Sequence, residues 1–162
     1  MTKLQSEKKS RKIFNLKGYD LMTTEVKPED KTVERKIQRD VLIIDDDKAV
    51  CDVLKQYCES MNIFKNIILA HDGLMASSKL RNQKFALILL DMNLPKKSGL
   101  DLIGEVADSD MNRKESVIVV SGTLEKEIIA KILGSGVKNF IVKPIDEAAF
   151  KDKVMKVLNI KP

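Results

Sequence analysis

The chain has 162 residues, of which 43% are apolar and 33% charged, with a formal net charge of +5. This length suits one domain with a tail, and no apolar run approaches the roughly 20 residues of a membrane-spanning helix. The stretch Met1 to Lys9 carries no apolar core of the secretory kind, so a cytoplasmic protein with no membrane partner is expected.

Before Val41 stand eleven Lys or Arg and seven Asp or Glu, so +4 of the net +5 lies in this leader. Its apolar residues, among them Ile13, Phe14, Leu16, Tyr19, Leu21 and Met22, are sparse and follow no period. Such a segment buries too little surface to offset its ordering entropy, which predicts a basic, disordered N-terminal extension over residues 1–40. A short helix from Pro28 to Arg39 is compatible with Pro28 in its first turn and the acids Glu29 and Asp30 beside it. The leader's cations could contact nucleic acid or an acidic protein surface. Few aromatics are interleaved with them, and a solvated tail is the simpler reading.

From Val41 onward the chain alternates, which defines a folded unit over residues 41–162. Val41 to Ile44 is wholly apolar, as in a strand buried on both faces. Val50, Val53, Leu54, Tyr57, Cys58 and Met61 then follow helical spacing. Asn66 to Ala70 reads as the second strand and Asp72 to Gln83 as the second helix. Ala86 to Leu90 is the third strand, and Leu100, Ile103, Val106 and Ala107 mark the third helix. Val117 to Val120 is the fourth strand. Ile128, Ile129, Ile132 and Leu133 mark the fourth helix, stopped by Gly134 or Gly136. Phe140 to Val142 is the fifth strand, and Phe150, Val154, Val157 and Leu158 line the last helix. Five strand–helix units predict an α/β fold, a parallel sheet covered on both faces through right-handed crossovers. Cys51 and Cys58 fall seven apart, two turns along one helical face, and read as buried thiols. His71, the sole histidine, follows the second strand and reads as a loop residue.

Charged residues collect where the apolar runs end. The first strand runs into Asp45-Asp46-Asp47, the third into Asp91, and the fifth into Lys143-Pro144. In an open parallel sheet those ends share the edge where ligands bind. Asp45, Asp46 and Asp91 together would repel one another unless a cation joined them. Mg²⁺ suits such a set, being hard, oxygen-seeking and content with one or two carboxylates plus waters. Singly, each residue has a plainer reading: Asp47 as a helix N-cap, the other acids and Lys143 as solvated strand ends. Their concentration at three strand ends outweighs it. Ser121, ending the fourth strand, could bond a phosphoryl oxygen on Asp91, cap the next helix, or both. Gly122, without a Cβ, allows close approach.

Taken in order, these segments resemble a known family. Leu42-Ile43-Ile44-Asp45-Asp46-Asp47, Leu90-Asp91-Met92-Asn93-Leu94-Pro95-Lys96-Lys97-Ser98-Gly99-Leu100, Val119-Val120-Ser121-Gly122 and Phe140-Ile141-Val142-Lys143-Pro144-Ile145 are similar to the signatures of response regulator receiver domains of two-component systems, like that of the single-domain chemotaxis regulator. The resemblance covers Val41 to Leu158. It implies a flavodoxin-like, doubly wound, five-stranded parallel sheet of order 2-1-3-4-5 in three αβα layers.

The resemblance also implies roles. Asp91 would be the phosphoacceptor. Asp46 would bind Mg²⁺ directly, Asp45 through water, and the backbone carbonyl of Asn93 would be a further protein ligand beside Asp91. Ser121 would be the switch hydroxyl, Lys143 the phosphoryl-pairing lysine, Phe140 the aromatic switch, and Pro144 would follow a cis peptide. A sensor histidine kinase or histidine phosphotransfer protein would supply the phosphoryl group, and the chain would be a switch rather than an enzyme with an external substrate, catalysing its own phosphotransfer and dephosphorylation. Output would pass to a downstream protein through the surface of the fourth helix, fifth strand and fifth helix, with room for a weak homodimer. No DNA-binding output domain is expected. Phe140 lacks the tyrosine hydroxyl of many relatives, and Asn93 and Thr123 would flank the phosphoryl group. A pseudo-receiver, binding partners without phosphorylation, is the alternative. A haloacid-dehalogenase-type phosphatase would want an acid where Asn93 stands, and a flavodoxin a phosphate loop where Asp45-Asp46-Asp47 stands.

Overall fold

The computed structural model describes residues 39–122 and 125–161. The segments expected as a disordered extension and as a helix from Pro28 to Arg39, apart from their last residues, lie outside the described residues, as does Thr123. Five strands form one parallel sheet: β1 (Asp40–Ile44), β2 (Asn66–Ala70), β3 (Leu87–Leu90), β4 (Val117–Ser121) and β5 (Asn139–Val142), in the order β2-β1-β3-β4-β5. Between and after them run α1 (Lys48–Met61), α2 (Gly73–Asn82), α3 (Gly99–Ala107), α4 (Lys126–Gly134) and α5 (Glu147–Val157), with a 3₁₀ turn at Lys114–Ser116.

The strands separate two cores by simple alternation of side chains. Leu42 and Ile44 face a cluster with Ala76 and Leu80 of α2, Leu102, Ile103 and Val106 of α3, and Ile132 of α4. Val41 and Ile43 face the other side, against Cys51, Leu54 and Cys58 of α1 and Phe150 and Val154 of α5. All four side chains of Val41 to Ile44 are 0–1% exposed, which is why no polar residue interrupts that run. Cys51 and Cys58 are buried thiols on the α1 face, as their spacing suggests.

Short polar side chains start every described α-helix except α4. Asp47, Asp72 and Asp146 accept the amides of Ala49, Met75 and Ala149 at the N-termini of α1, α2 and α5. Ser98 and Asp101 form a reciprocal capping box on α3. Several strand ends differ by one residue from the sequence expectation: β3 starts at Leu87, β4 takes in Ser121 and β5 takes in Asn139. β1 takes in Asp40, whose carboxylate receives the amides of Asn66 at 2.8 Å and Gln83 at 2.6 Å, so a charged residue is tolerated at the sheet's start. At the end of α4, Gly134 is still helical, and Gly136, at φ +92°, takes the left-handed conformation that turns the chain toward β5. Among the described residues no helix is long and apolar enough to cross a membrane.

Candidate functional site

The register of the central strands builds the site. Ile44 pairs with Leu90, so Asp45 and Asp91 leave neighbouring strands at the same level. Asp45 donates its amide to the carbonyl of Ala70 at 3.1 Å, and Asp91 donates to the carbonyl of Ile44 at 2.9 Å. The ladder thus grips both residues from the backbone. β5 reaches the same edge because Ser121 pairs with Val142, and Lys143 follows, its amide on the Ser121 carbonyl at 2.9 Å. The Lys143–Pro144 peptide is cis.

The side chains converge. Carboxylate oxygens of Asp45, Asp46 and Asp91 all lie within 4.8 Å of one another. The Lys143 ammonium is 2.7 Å from Asp45 Oδ2 and 3.7 Å from Asp91 Oδ1. Asp45 and Asp91 are buried, at 1% and 5% exposure, while Asp46 is exposed and gives the cluster an open side. Burial raises the pKa of Asp91 above the usual carboxylate range, and Asp45 and Asp46 push it the same way, against the opposing pull of Lys143. Burial alone would lower Lys143, but its hydrogen bond to Asp45 and the charge of Asp91 outweigh that and raise it. The lysine is therefore a fixed cation among carboxylates that remain short of positive charge. An all-oxygen donor set with surplus negative charge fits a small hard cation such as Mg²⁺.

The other residues singled out in the sequence fall around this centre. Ser121 is fully buried at the end of β4. It does not cap α4: that helix starts at Lys126 behind Glu125, several residues further on. Phe140 is half-buried in β5 and packs against the core shared by α2, α3 and α4. Asn93 is exposed, two residues beyond Asp91. A Cβ on Gly122 would meet no heavy atom within 4 Å, so that position borders open space.

Sequence reasoning missed two supports. Gly99 packs its Cα so tightly on the loop after β3 that a Cβ would stand 2.8 Å from the carbonyl oxygen of Asp91 and from Met92 Cα. The same loop is tied to α2. The Gly73 amide donates to the carbonyl of Pro95 at 3.1 Å, Lys96 pairs with Asp72 at 2.6 Å, and Glu105 accepts from Ser77 while pairing with Lys97. Glycines after strand ends hint at close approach, but not at which backbone approaches.

Comparisons with known proteins follow the same span. The response regulator receiver domain matches residues 41–155. Chemotaxis protein CheY-3 of Vibrio cholerae is 28% identical over 117 residues, covering 72% of this chain and 89% of that protein. Transcriptional regulatory protein MalR of Bacillus subtilis is 32% identical over 111 residues, which are 68% of this chain and 46% of MalR. Among solved structures, a CheX–CheY–BeF3–Mg²⁺ complex from Borrelia burgdorferi has a TM-score of 0.69 at 31% identity, covering 77% of this chain and 92% of its own. A CheY-like receiver domain protein from Methanospirillum hungatei has a TM-score of 0.68 at 27% identity, covering 75% and 94%. Sheet order, acidic strand ends and these matches coincide over one stretch of sequence, and the chain belongs to the response regulator receiver domain family of two-component systems.

Proposed function

We propose that residues 41–162 form a phosphorylation-dependent switch in which Asp91 takes a phosphoryl group from the phosphohistidine of a sensor histidine kinase or histidine phosphotransfer protein. The observation that carries this reading is the meeting of Asp45, Asp46 and Asp91 within 4.8 Å, with the Lys143 ammonium among them. The similar complex from Borrelia burgdorferi, which holds Mg²⁺ and BeF3, supports it.

Asp46, Asp45, Asp91 and the carbonyl of Asn93 would hold Mg²⁺, which when bound supplies positive charge to the phosphoryl oxygens. Asp91 acts as nucleophile. One of its carboxylate oxygens forms the new bond to phosphorus, the P–N bond of the phosphohistidine breaks, and the imidazole leaves with the electron pair. Lys143, already 3.7 Å from Asp91, offsets the charge carried onto that residue. Burial around Asp91 strengthens the attraction, because few waters compete. The acyl phosphate adds charge and strong acceptors, and Ser121 turns toward it. Phe140 then fills the space that Ser121 leaves, and the surface of α4, β5 and α5 changes its fit to a downstream protein. This is a two-state equilibrium biased by a local charge. The protein acts on itself, hydrolysing its own aspartyl phosphate, and residues 1–40 serve as a basic extension outside the switch.

Incubation with acetyl phosphate and Mg²⁺ followed by intact-mass measurement tests this. One phosphoryl group is expected on the unaltered protein and none on Asp91→Asn. If the unaltered protein gains no mass while a related receiver run beside it does, the pseudo-receiver reading, a binding module independent of phosphorylation, takes its place.

A further inference from the structure

We infer that His71 is a positioning residue for the acidic site, holding the Asp45–Asp46 peptide through a hydrogen bond from its Nδ1–H to the carbonyl oxygen of Asp45. The inference rests on the proposed role of those aspartates in binding Mg²⁺.

The backbone ladder of β1 and β2 ends at the Asp45 amide, which donates to Ala70. The carbonyl of Asp45, in a residue 1% exposed, therefore needs donors from elsewhere. Two side chains supply them. His71 Nδ1 lies 3.2 Å from that oxygen and Cys51 Sγ lies 3.3 Å from it. The thiol is a weak donor, so the imidazole carries the larger share. With both protons aimed at the oxygen, the 3.7 Å separation of Cys51 Sγ and His71 Nδ1 is a contact rather than a bond. The arrangement assigns the ring proton of neutral His71 to Nδ1.

The carbonyl matters because the peptide is planar. Its oxygen belongs to the plane that ends at the Asp46 Cα, so fixing it sets where the exposed Asp46 carboxylate starts. The Asp45 carboxylate is held from the other side, by the Asp47 amide at 2.9 Å and Lys143 at 2.7 Å. His71 completes that frame from β2, and residues in such supporting positions typically govern metal affinity.

The sole histidine gives one imidazole to observe. In ¹⁵N-labelled, metal-free protein near pH 8, long-range ¹H–¹⁵N spectra should show Nδ1 protonated and Nε2 bare. An Nε2-protonated ring would overturn the inference. Mg²⁺ affinity, read from amide shifts, should fall about tenfold or more in His71→Ala. It should stay near the unaltered value in His71→Asn, whose amide N–H can take the place of Nδ1–H. Equal affinity in His71→Ala and the unaltered protein would remove His71 while leaving the aspartate site standing. Failure of the unaltered protein to bind Mg²⁺ would overturn the reading of the site and this inference with it. The tautomer is measured on the unaltered protein, so a variant that does not fold still leaves a decisive result.

Discussion

The Lys143 ammonium stands 2.7 Å from a carboxylate oxygen of Asp45, 98 positions away in sequence. The pair is the tightest charge contact of the acidic edge, and Asp91 shares the same cation at 3.7 Å. Lys143 thus answers part of the charge of three carboxylates and cannot answer all of it.

Replacing that cation separates its effects on metal and phosphoryl group. In Lys143→Met the three acids lose their internal partner, so Mg²⁺ should bind at least as tightly as before. Phosphorylation by acetyl phosphate should slow by about a hundredfold, as for removal of one preorganised donor of charge stabilisation. A mass time course at saturating Mg²⁺ reads the rate, and an unchanged rate would take Lys143 out of the proposed chemistry.

Burial and two neighbouring acids raise the pKa of Asp91, so its charged form is held against the preference of its surroundings. A raised carboxyl pKa means that the charged form costs stability above the ordinary titration range. Metal-free Asp91→Asn should therefore be more stable than the unaltered protein at pH 7 and melt at a higher temperature. Added Mg²⁺ should stabilise the unaltered protein more than the variant. Calorimetry with and without Mg²⁺ checks both signs.

Two glycines of α3 give opposite expectations. Gly99→Ala forces a Cβ to 2.8 Å from the backbone that carries Asp91 and should cost about 1–3 kcal/mol. A Cβ at Gly104 meets nothing within 4 Å, and Gly104→Ala should gain about 0.5–1 kcal/mol from helix propensity. Urea unfolding of the two variants would falsify the packing argument if both moved the same way.

The thiols of α1 should be inert in the native state. Burial, first, and nearby acids push Cys51 up to about 11, and burial with Glu59 pushes Cys58 up to about 12. Both pKa values lie above the ordinary 9.0, so the neutral thiols favour the fold fully below pH 9, and that contribution is lost as pH rises through the raised values. Alkylation by iodoacetamide at pH 8 should run at least about tenfold slower than for free cysteine and recover in denaturant. Rapid native labelling would contradict the burial of that helix face.

Much of the fold is legible in the sequence because burial on both faces leaves a local mark. Val41 to Ile44 and Leu87 to Leu90 admit no polar side chain, and the helix starts are spelled by Asp47, Asp72, Ser98 and Asp146. The capping residue of α4 was harder to read. Ser121 has the right chemistry for a cap, yet it is consumed by the sheet, and Glu125 begins the helix without a side-chain bond.

From the residues alone the site was legible as a set of residue types at strand ends, and the family resemblance added the sheet order that would bring them together. That β1 and β3 are neighbours in register, with Ile44 opposite Leu90, is a long-range pairing that no local period encodes. The same holds for the support of Asp45 by His71 and Cys51, three residues from separate elements that meet at one buried oxygen. Periodicity and capping depend on neighbours within a turn or two, and so the elements, their order along the chain and the acids at their ends can be read locally. Strand pairing and close packing depend on residues far apart in the chain, and so long-range contacts set the meeting of Asp45, Asp46, Asp91 and Lys143 in one pocket and the half-buried imidazole behind it.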